Sequence, residues 1–305
     1  MYFFRSVIKS LDDWEQLYRN DEAFVPLVRQ ILALHRLPSS EIRSTGSGSH
    51  AVFRSGEYIV KIYAPDETGW ICESDFHTEV SAMVRANQCG ISAPELVAYG
   101  RFRDRYPFRY LIQKFVHGTV ISKATLSEKQ KYDVGRQLRT ICRRFNTPCE
   151  PFNSYRFPED ALTCEEWDAF PRSFRQAREA YIRAYRHGTP VCVHGDIHQN
   201  NVILGEDGRI CLIDFADSVI APVEYEYASL IPGMFLMEKS YLDGFFGAWD
   251  VETLTEQLTY GICIHRFGGA CCGDDIFEEM DLRDVKSLRN EIYRLLYTAK
   301  FNRLP

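Results

Sequence analysis

Three oxygen-bearing side chains stand at fixed intervals in one short stretch. Asp196 and Asn201 fall within Val191-Cys-Val-His-Gly-Asp-Ile-His-Gln-Asn-Asn-Val-Ile-Leu204, and Asp214 falls within Leu212-Ile-Asp-Phe215. Asn201 lies five positions after Asp196, and Asp214 eighteen after it. A carboxylate and an amide oxygen suit Mg2+, which takes hard oxygen ligands from one or two side chains plus phosphates. A second carboxylate suits acceptance of the proton from an attacking hydroxyl. The set matches phosphoryl transfer from a magnesium-bound ATP, a reaction accelerated mainly by positioning and charge neutralisation. The expected roles are Asp196 as catalytic base and Asn201 and Asp214 as metal ligands.

Such a set needs elements that hold it. The stretch reads as strand, polar loop, strand, turn, strand. A hairpin closed by Gly205-Glu-Asp-Gly-Arg209 would bring Asn201 and Asp214 side by side beneath the loop carrying Asp196. The competing reading is a buried hairpin whose Asp and Asn residues only form turns.

The wording His194-Gly-Asp-Ile-His198, with Asn201 after it and Ile213-Asp-Phe215 beyond, resembles the aminoglycoside phosphotransferase and choline kinase family of the protein-kinase-like superfamily. Protein kinases usually carry Arg after the first His and Lys two residues after the Asp, where this chain has Gly195 and His198. The resemblance implies an α+β, bilobal protein-kinase-like fold. Residues 1–116 would form an N-terminal nucleotide-binding lobe, hinge included, with an antiparallel sheet and a helix. Residues 117–305 would form a larger, helix-rich catalytic and substrate-binding lobe.

The resemblance also implies site residues upstream. Ser44-Thr-Gly-Ser-Gly-Ser-His50 would be the phosphate-covering turn, with Ser47, Gly48 and Ser49 at the nucleotide. Lys61, inside the alternating run Tyr58-Ile-Val-Lys-Ile-Tyr63, would reach the α- and β-phosphates. Glu79 would hold Lys61 by an ion pair from a helix with an apolar stripe of Phe76, Val80, Met83 and Val84, with Glu73 as competitor. Tyr110-Leu-Ile-Gln-Lys-Phe-Val-His-Gly118 would be the hinge, in which Lys114 and Val116 offer main-chain atoms to adenine. Relatives often carry an acidic residue where Lys114 stands, so GTP stays beside ATP as a candidate. Phe215-Ala216 stands where protein kinases place Phe-Gly, so a mobile activation segment is not expected.

Elsewhere the periodicity predicts one or two helices over residues 10–37, another over 127–146, a helical insertion over 164–187 whose many Arg residues form a solvated face, and mainly helix over 244–297. With 305 residues, 45% of them hydrophobic, the chain can bury a large core. It carries no apolar run of membrane-spanning length and no signal-peptide pattern, which points to a cytoplasmic protein without a membrane partner. The net charge of −6 and the lack of a basic aromatic stripe argue against nucleic acid. Ten scattered cysteines read as reduced thiols, with Cys192 and Cys211 in buried strands; Cys271-Cys272 has no assigned role.

Charge distribution bears on the acceptor. From Asp217 to Asp284 there are fourteen acidic residues against Lys239, Arg266 and Arg283, so the rest of the chain is net positive. In the family this segment supplies the acceptor pocket, and a focused negative field attracts a cation. Asp217, Glu224 and Glu226 are the candidate substrate residues, with Tyr225, Tyr227, Phe245, Phe246 and Trp249 as candidate stacking or caging groups. Glu226 also falls where relatives carry a short acidic motif, commonly Asp, which could brace the catalytic loop. The expected activity is phosphorylation of a small, cationic, hydroxylated molecule, first an aminoglycoside-type antibiotic. Choline, a methylthio-sugar, homoserine or a similar metabolite is the alternative, since a scaffold does not fix its acceptor. A protein-directed kinase or a nucleotide-binding regulator is a further reading.

Overall fold

A computed structural model describes residues 2–46, 48, 50–70, 72–271 and 284–302. The chain divides into two units, Met1–Gln88 with Ala93–His117, and Cys89–Ser92 with Gly118–Pro305.

The first unit begins with two helices, α1 (Leu11–Leu17) and α2 (Asp21–Leu34), each started by a side-chain cap, from Ser10 to the Asp13 amide and from Asn20 to the Ala23 amide. Five strands follow: β1 (Ile42–Ser44), β2 (Ala51–Ser55), β3 (Tyr58–Ile62), β4 (Leu96–Arg103) and β5 (Pro107–Lys114). They form one antiparallel sheet in the order β1-β2-β3-β5-β4. Helix α3 (Cys72–Gln88) lies between β3 and β4 in sequence. The hinge candidate β5 is therefore an interior strand, and its buried run Phe108–Ile112 follows from that place. The core is aromatic: Phe24 stands 4.9 Å from Phe4 and 5.4 Å from Phe53 by ring centroids, and Phe108 stands 5.1 Å from Phe4. Each of these rings is fully buried, worth about 1.5–3 kcal/mol apiece.

In α3 the buried face runs through Phe76, Val80, Met83 and Ala86, with Glu79 among them. Val84 is 37% exposed, against the expected stripe. Its angular position falls beyond the arc centred on Glu79, so the buried face is turned toward the carboxylate.

In the second unit, β6 (Thr119–Val120) leads to α4 (Glu128–Phe145), which opens on a capping box between Ser127 and Gln130. The insertion contains α5 (Glu159–Leu162) and α6 (Arg172–Ala184). Strands β7 (Val191–Val193), β8 (Val202–Leu204), β9 (Ile210–Leu212) and β10 (Val219–Ala221) follow. They form an antiparallel pair β10-β7 and a three-stranded sheet β6-β8-β9. The rest is helical: α7 (Glu224–Ser229), α8 (Lys239–Phe246), α9 (Val251–Ile264), α10 (Gly268–Cys271) and α11 (Val285–Phe301). Helices α4 and α8 meet at backbone distance. A Cβ on Gly135 would lie 2.3 Å from the Tyr241 carbonyl, and one on Gly244 would lie 2.1 Å from the Tyr132 carbonyl.

One arginine of the insertion departs from the solvated face expected of it. Arg178 is 3% exposed, sits 4.6 Å over the Trp167 ring, and donates to the carbonyls of Cys263 (2.8 Å) and Ala161. It ties α6 to α5 and α9, the helix at the centre of this unit. Arg178→Ala should cost about 2–4 kcal/mol, because two buried carbonyls lose a charged donor; chemical denaturation of the variant checks this.

Seven cysteines among the described residues are free thiols. Cys192 is buried, while Cys211 in β9 is half-buried. Cys272 and the acidic residues Asp274, Asp275, Glu278 and Glu279 lie outside the described residues.

Candidate functional site

The first unit carries the nucleotide-side candidates. Lys61 sits inside β3, 7% exposed, and its Nζ lies 2.7 Å from Glu79 Oε2 on α3. Glu79 also accepts from the Tyr63 hydroxyl. A buried ammonium is costly unless paired, and this pair fixes where the lysine points. The competing Glu73 side chain lies outside the described residues. In the turn before β2, Gly46 and Gly48 have φ of 72° and 81°, and a Cβ at either would meet nothing. Glycine there serves the left-handed backbone rather than packing. Ser47 and Ser49 lie outside the described residues. Nearby, the His50 ring stacks on Trp70 at 5.1 Å and 10°.

At the end of β5 the expected main-chain role of Lys114 is narrowed. Its amide already donates to the Glu95 carbonyl at 2.9 Å, because the strand is paired on that side. Its ammonium lies 4.6 Å over the Tyr58 ring. Val116 lies beyond the paired residues of β5.

The second unit carries the catalytic-loop candidates. Strands β8 and β9 form the expected hairpin, with Val202 opposite Leu212 and the Ile213 amide donating to the Asn201 carbonyl at 2.9 Å. Asn201 and Asp214 are thus brought to adjacent ends of the hairpin. Asn201 Nδ2 donates to both the backbone carbonyl (3.0 Å) and Oδ2 (2.8 Å) of Asp196. With its NH2 group so engaged, the amide presents Oδ1 as an acceptor. Asp214 has φ of 62°, a left-handed conformation uncommon outside glycine and tolerated best by Asp and Asn. Strain of this kind gathers at functional sites.

The loop between β7 and β8 is braced from below by side chains far away in sequence. Glu226, 1% exposed, accepts from the amides of His194 (2.7 Å, Oε2) and Gly195 (2.9 Å, Oε1). Ser229 Oγ accepts from the Ile197 amide at 3.0 Å, and His265 Nε2 donates to the Gly195 carbonyl at 2.7 Å. His194 donates through Nε2 to the Ile213 carbonyl at 3.1 Å and accepts at Nδ1 from the Asp196 amide at 3.2 Å. Both histidines are neutral: burial lowers the His194 pKa, and it lowers that of His265 to about 4. Burial raises the Glu226 pKa to about 7, against the opposing effect of the two amides. His198 Nε2 lies 3.3 Å from Asp196 Oδ2. Burial alone would lower its pKa, but the hydrogen bond and charge of Asp196, with Asp214 and Asp217 beyond, raise it.

Gly195 has φ of 81°, and a Cβ there would lie 2.5 Å from the Asp217 carbonyl. Gly195→Ala should therefore displace the loop, costing about 1–3 kcal/mol in strain alone. Thermal unfolding and turnover measured on that variant should fall together.

The acceptor candidates are corrected by burial. Glu226 has both oxygens on loop amides, the bracing geometry of its second expected role. Glu224 is 7% exposed, and burial raises its pKa, so it fails as a solvent-facing charge. Asp217 is half-buried and pairs with Arg266 at 3.2 Å. The acidic field read along the segment is thus partly neutralised and partly hidden. Tyr225 belongs to the core, and Tyr227, Phe245 and Phe246 line a cavity of about 340 Å3 whose wall also carries Arg139, Arg143 and Glu226. Lys300 lies 4.5 Å over the Trp249 ring. Ser229, His265 and Ser218, whose Oγ donates to the His194 carbonyl, were not singled out by the sequence reading.

No helix among the described residues is long and apolar enough to cross a membrane. A search of curated proteins finds no match to the chain. Among solved structures, the chain is similar to an amicoumacin kinase in complex with AMP-PNP, Ca2+ and Ami (15% identity, TM-score 0.60, 87% of this chain and 92% of that one). It is also similar to the GDP complex of an aminoglycoside 2'-phosphotransferase (15%, TM-score 0.59, 91% and 98%) and to a microcompartment-associated aminopropanol kinase (12%, TM-score 0.57, 90% and 98%). At such identities these likenesses speak for the kinase-like fold. The model of the phosphotransferase enzyme family matches residues 41–258, a span that holds Lys61, Glu79 and the whole Asp196 to Asp214 loop and hairpin, and on that match the chain belongs to the phosphotransferase enzyme family.

Proposed function

We propose that this phosphotransferase moves the γ-phosphoryl group of ATP, with GTP as the competing donor, onto a hydroxyl of a small molecule, by direct in-line transfer. The observation that carries the reading is the double hydrogen bond from Asn201 to Asp196, on a hairpin that also ends in Asp214. It supports one proton acceptor beside two oxygen ligands on a single rigid frame. Asn201 Oδ1 and the Asp214 carboxylate are hard donors of the kind Mg2+ takes, and when bound that ion would neutralise phosphate charge. Asp196 would accept the proton of the attacking hydroxyl. Lys61, held by Glu79, would bind the α- and β-phosphates, with Gly48, Ser47 and Ser49 as the phosphate-side turn and Val116 as the adenine-side backbone donor.

An aminoglycoside-type antibiotic remains the first acceptor class and an amino alcohol or sugar metabolite the second. Both are proposals that draw on the similar structures rather than on a pocket of this chain. The test incubates purified protein with Mg2+ and γ-labelled ATP or GTP, alone, with casein, and with a panel of aminoglycosides and amino alcohols. Label should pass to one small hydroxylated compound. Label passing mainly to protein would overturn the small-molecule reading.

A further inference from the structure

The second unit holds a cavity of about 410 Å3 whose lining includes none of the candidate site residues above, walled by Ser92, Arg136, Gln137, Thr140, Arg144 and Arg209. Arg136, Thr140 and Arg144 are spaced four apart on α4, so they form one stripe, and Arg209 joins them from the hairpin turn. Arg144 Nη1 donates to the Gly90 carbonyl at 3.1 Å, which spends one of its five donors and orients the rest. Among the described residues the acidic neighbours of Arg136 and Arg209 are loose, Asp133 and Asp207, each at 3.6 Å, and both arginines are exposed. Such pairs are worth little and exchange readily for a better anion. No carboxylate is among the lining residues.

Three guanidinium forks around a concave space match a phosphate monoester, since Arg binds phosphate bidentately and geometry as well as charge is satisfied. Thr140 lies in the same wall, its Oγ1 donating back to the Arg136 carbonyl at 3.1 Å, so the hydroxyl presents a lone pair to the cavity and the arginines supply the donors. The volume falls within the range of about 300–1,000 Å3 typical of small-molecule sites. We propose that this cavity binds a phosphate-bearing small molecule of sugar-phosphate size, at a site distinct from the Asp196 loop. The occupant would rest against the hairpin, because Gln137, in the same wall, donates to the Gly208 carbonyl at 2.9 Å and accepts from the Ile210 amide at 3.1 Å.

The test is calorimetric titration of the whole chain with glucose 6-phosphate, with no nucleotide, metal or acceptor present, so that its outcome is independent of the phosphotransfer reading. Wild type should bind, and Arg136→Ala/Arg144→Ala should weaken binding by about tenfold or more, as expected for loss of bidentate charge-assisted bonds, while keeping the wild-type far-ultraviolet circular dichroism. Arg209→Glu, on the exposed turn, should abolish binding and serves if the double variant does not fold. Lys at positions 136 and 144 should weaken binding less than Ala. Equal binding by wild type and the variants would place the anion elsewhere and overturn the proposal. So would no binding by wild type up to about 10 mM, a bound set by the weakest useful affinity.

Discussion

Asp196→Ala should lower kcat by about 10²–10⁴-fold, the usual loss when a positioned proton acceptor is removed. Nucleotide affinity should be nearly unchanged. The reason lies in how Asn201 is held: of its two bonds to Asp196, the one to the backbone carbonyl survives truncation of the side chain. The proposed metal ligand therefore keeps its orientation while the proton acceptor is gone. Steady-state kinetics with the acceptor found in the labelling panel, beside nucleotide binding measured directly, separates the two effects. Near-normal kcat in the variant would remove Asp196 from the role.

Glu226→Ala should be the second large loss, through position rather than contact. It strips the acceptor from two amides in a fully buried segment, at about 1–3 kcal/mol for each orphaned donor. A loop shift of about 1 Å can cost roughly 10²-fold in rate, so turnover should fall steeply although Glu226 faces away from the loop's open side. Its titration supplies a signature that a merely structural defect would not move. The pKa is raised from the usual 4.5 to about 7, so between those values the folded protein holds a proton that the unfolded chain has released. Stability therefore falls as pH rises through that window, by about 3 kcal/mol in all. The buried His194 and His265 act in the opposite sense: their lowered pKa values make stability rise with pH up to the ordinary histidine range. The comparison to make is wild type against Glu226→Gln, unfolded by denaturant at several pH values from 4.5 to 7. The difference between the two should shrink as pH falls, since protonation makes the native carboxyl resemble the amide. A constant difference would show that Glu226 does not titrate there.

What was legible in the sequence follows a physical line. The Asp196 to Asp214 frame could be read because a hairpin with a short turn has few registers, so spacing along the chain fixes neighbours in space. Lys61 and Glu79 came from the family resemblance and from their order ahead of the loop, and the structure pairs them at 2.7 Å although β3 is buried along nearly its whole length and gives no alternating signal. The burial of Glu224 and Glu226 was not legible because a carboxylate in a sequence looks solvated, and only the packing of α7 against α9 shows it. Arg178 was misread for the same reason. The loop braces Ser229 and His265 were invisible since their partners stand 32 and 70 positions away, and no local pattern ties such residues together. Val84 shows the limit of stripe counting: the apolar residues alone located the helix but not the rotation that seats Glu79.

The glycine pair at the α4–α8 crossing reaches further than its own helices. Gln137, two positions after Gly135, grips the turn of the hairpin whose other ends hold Asn201 and Asp214. The spot where a divalent ion would settle is thereby referenced to how closely two helical backbones touch. A substitution at the helix crossing can accordingly shift the hairpin ends, with Asn201 and Asp214 themselves untouched.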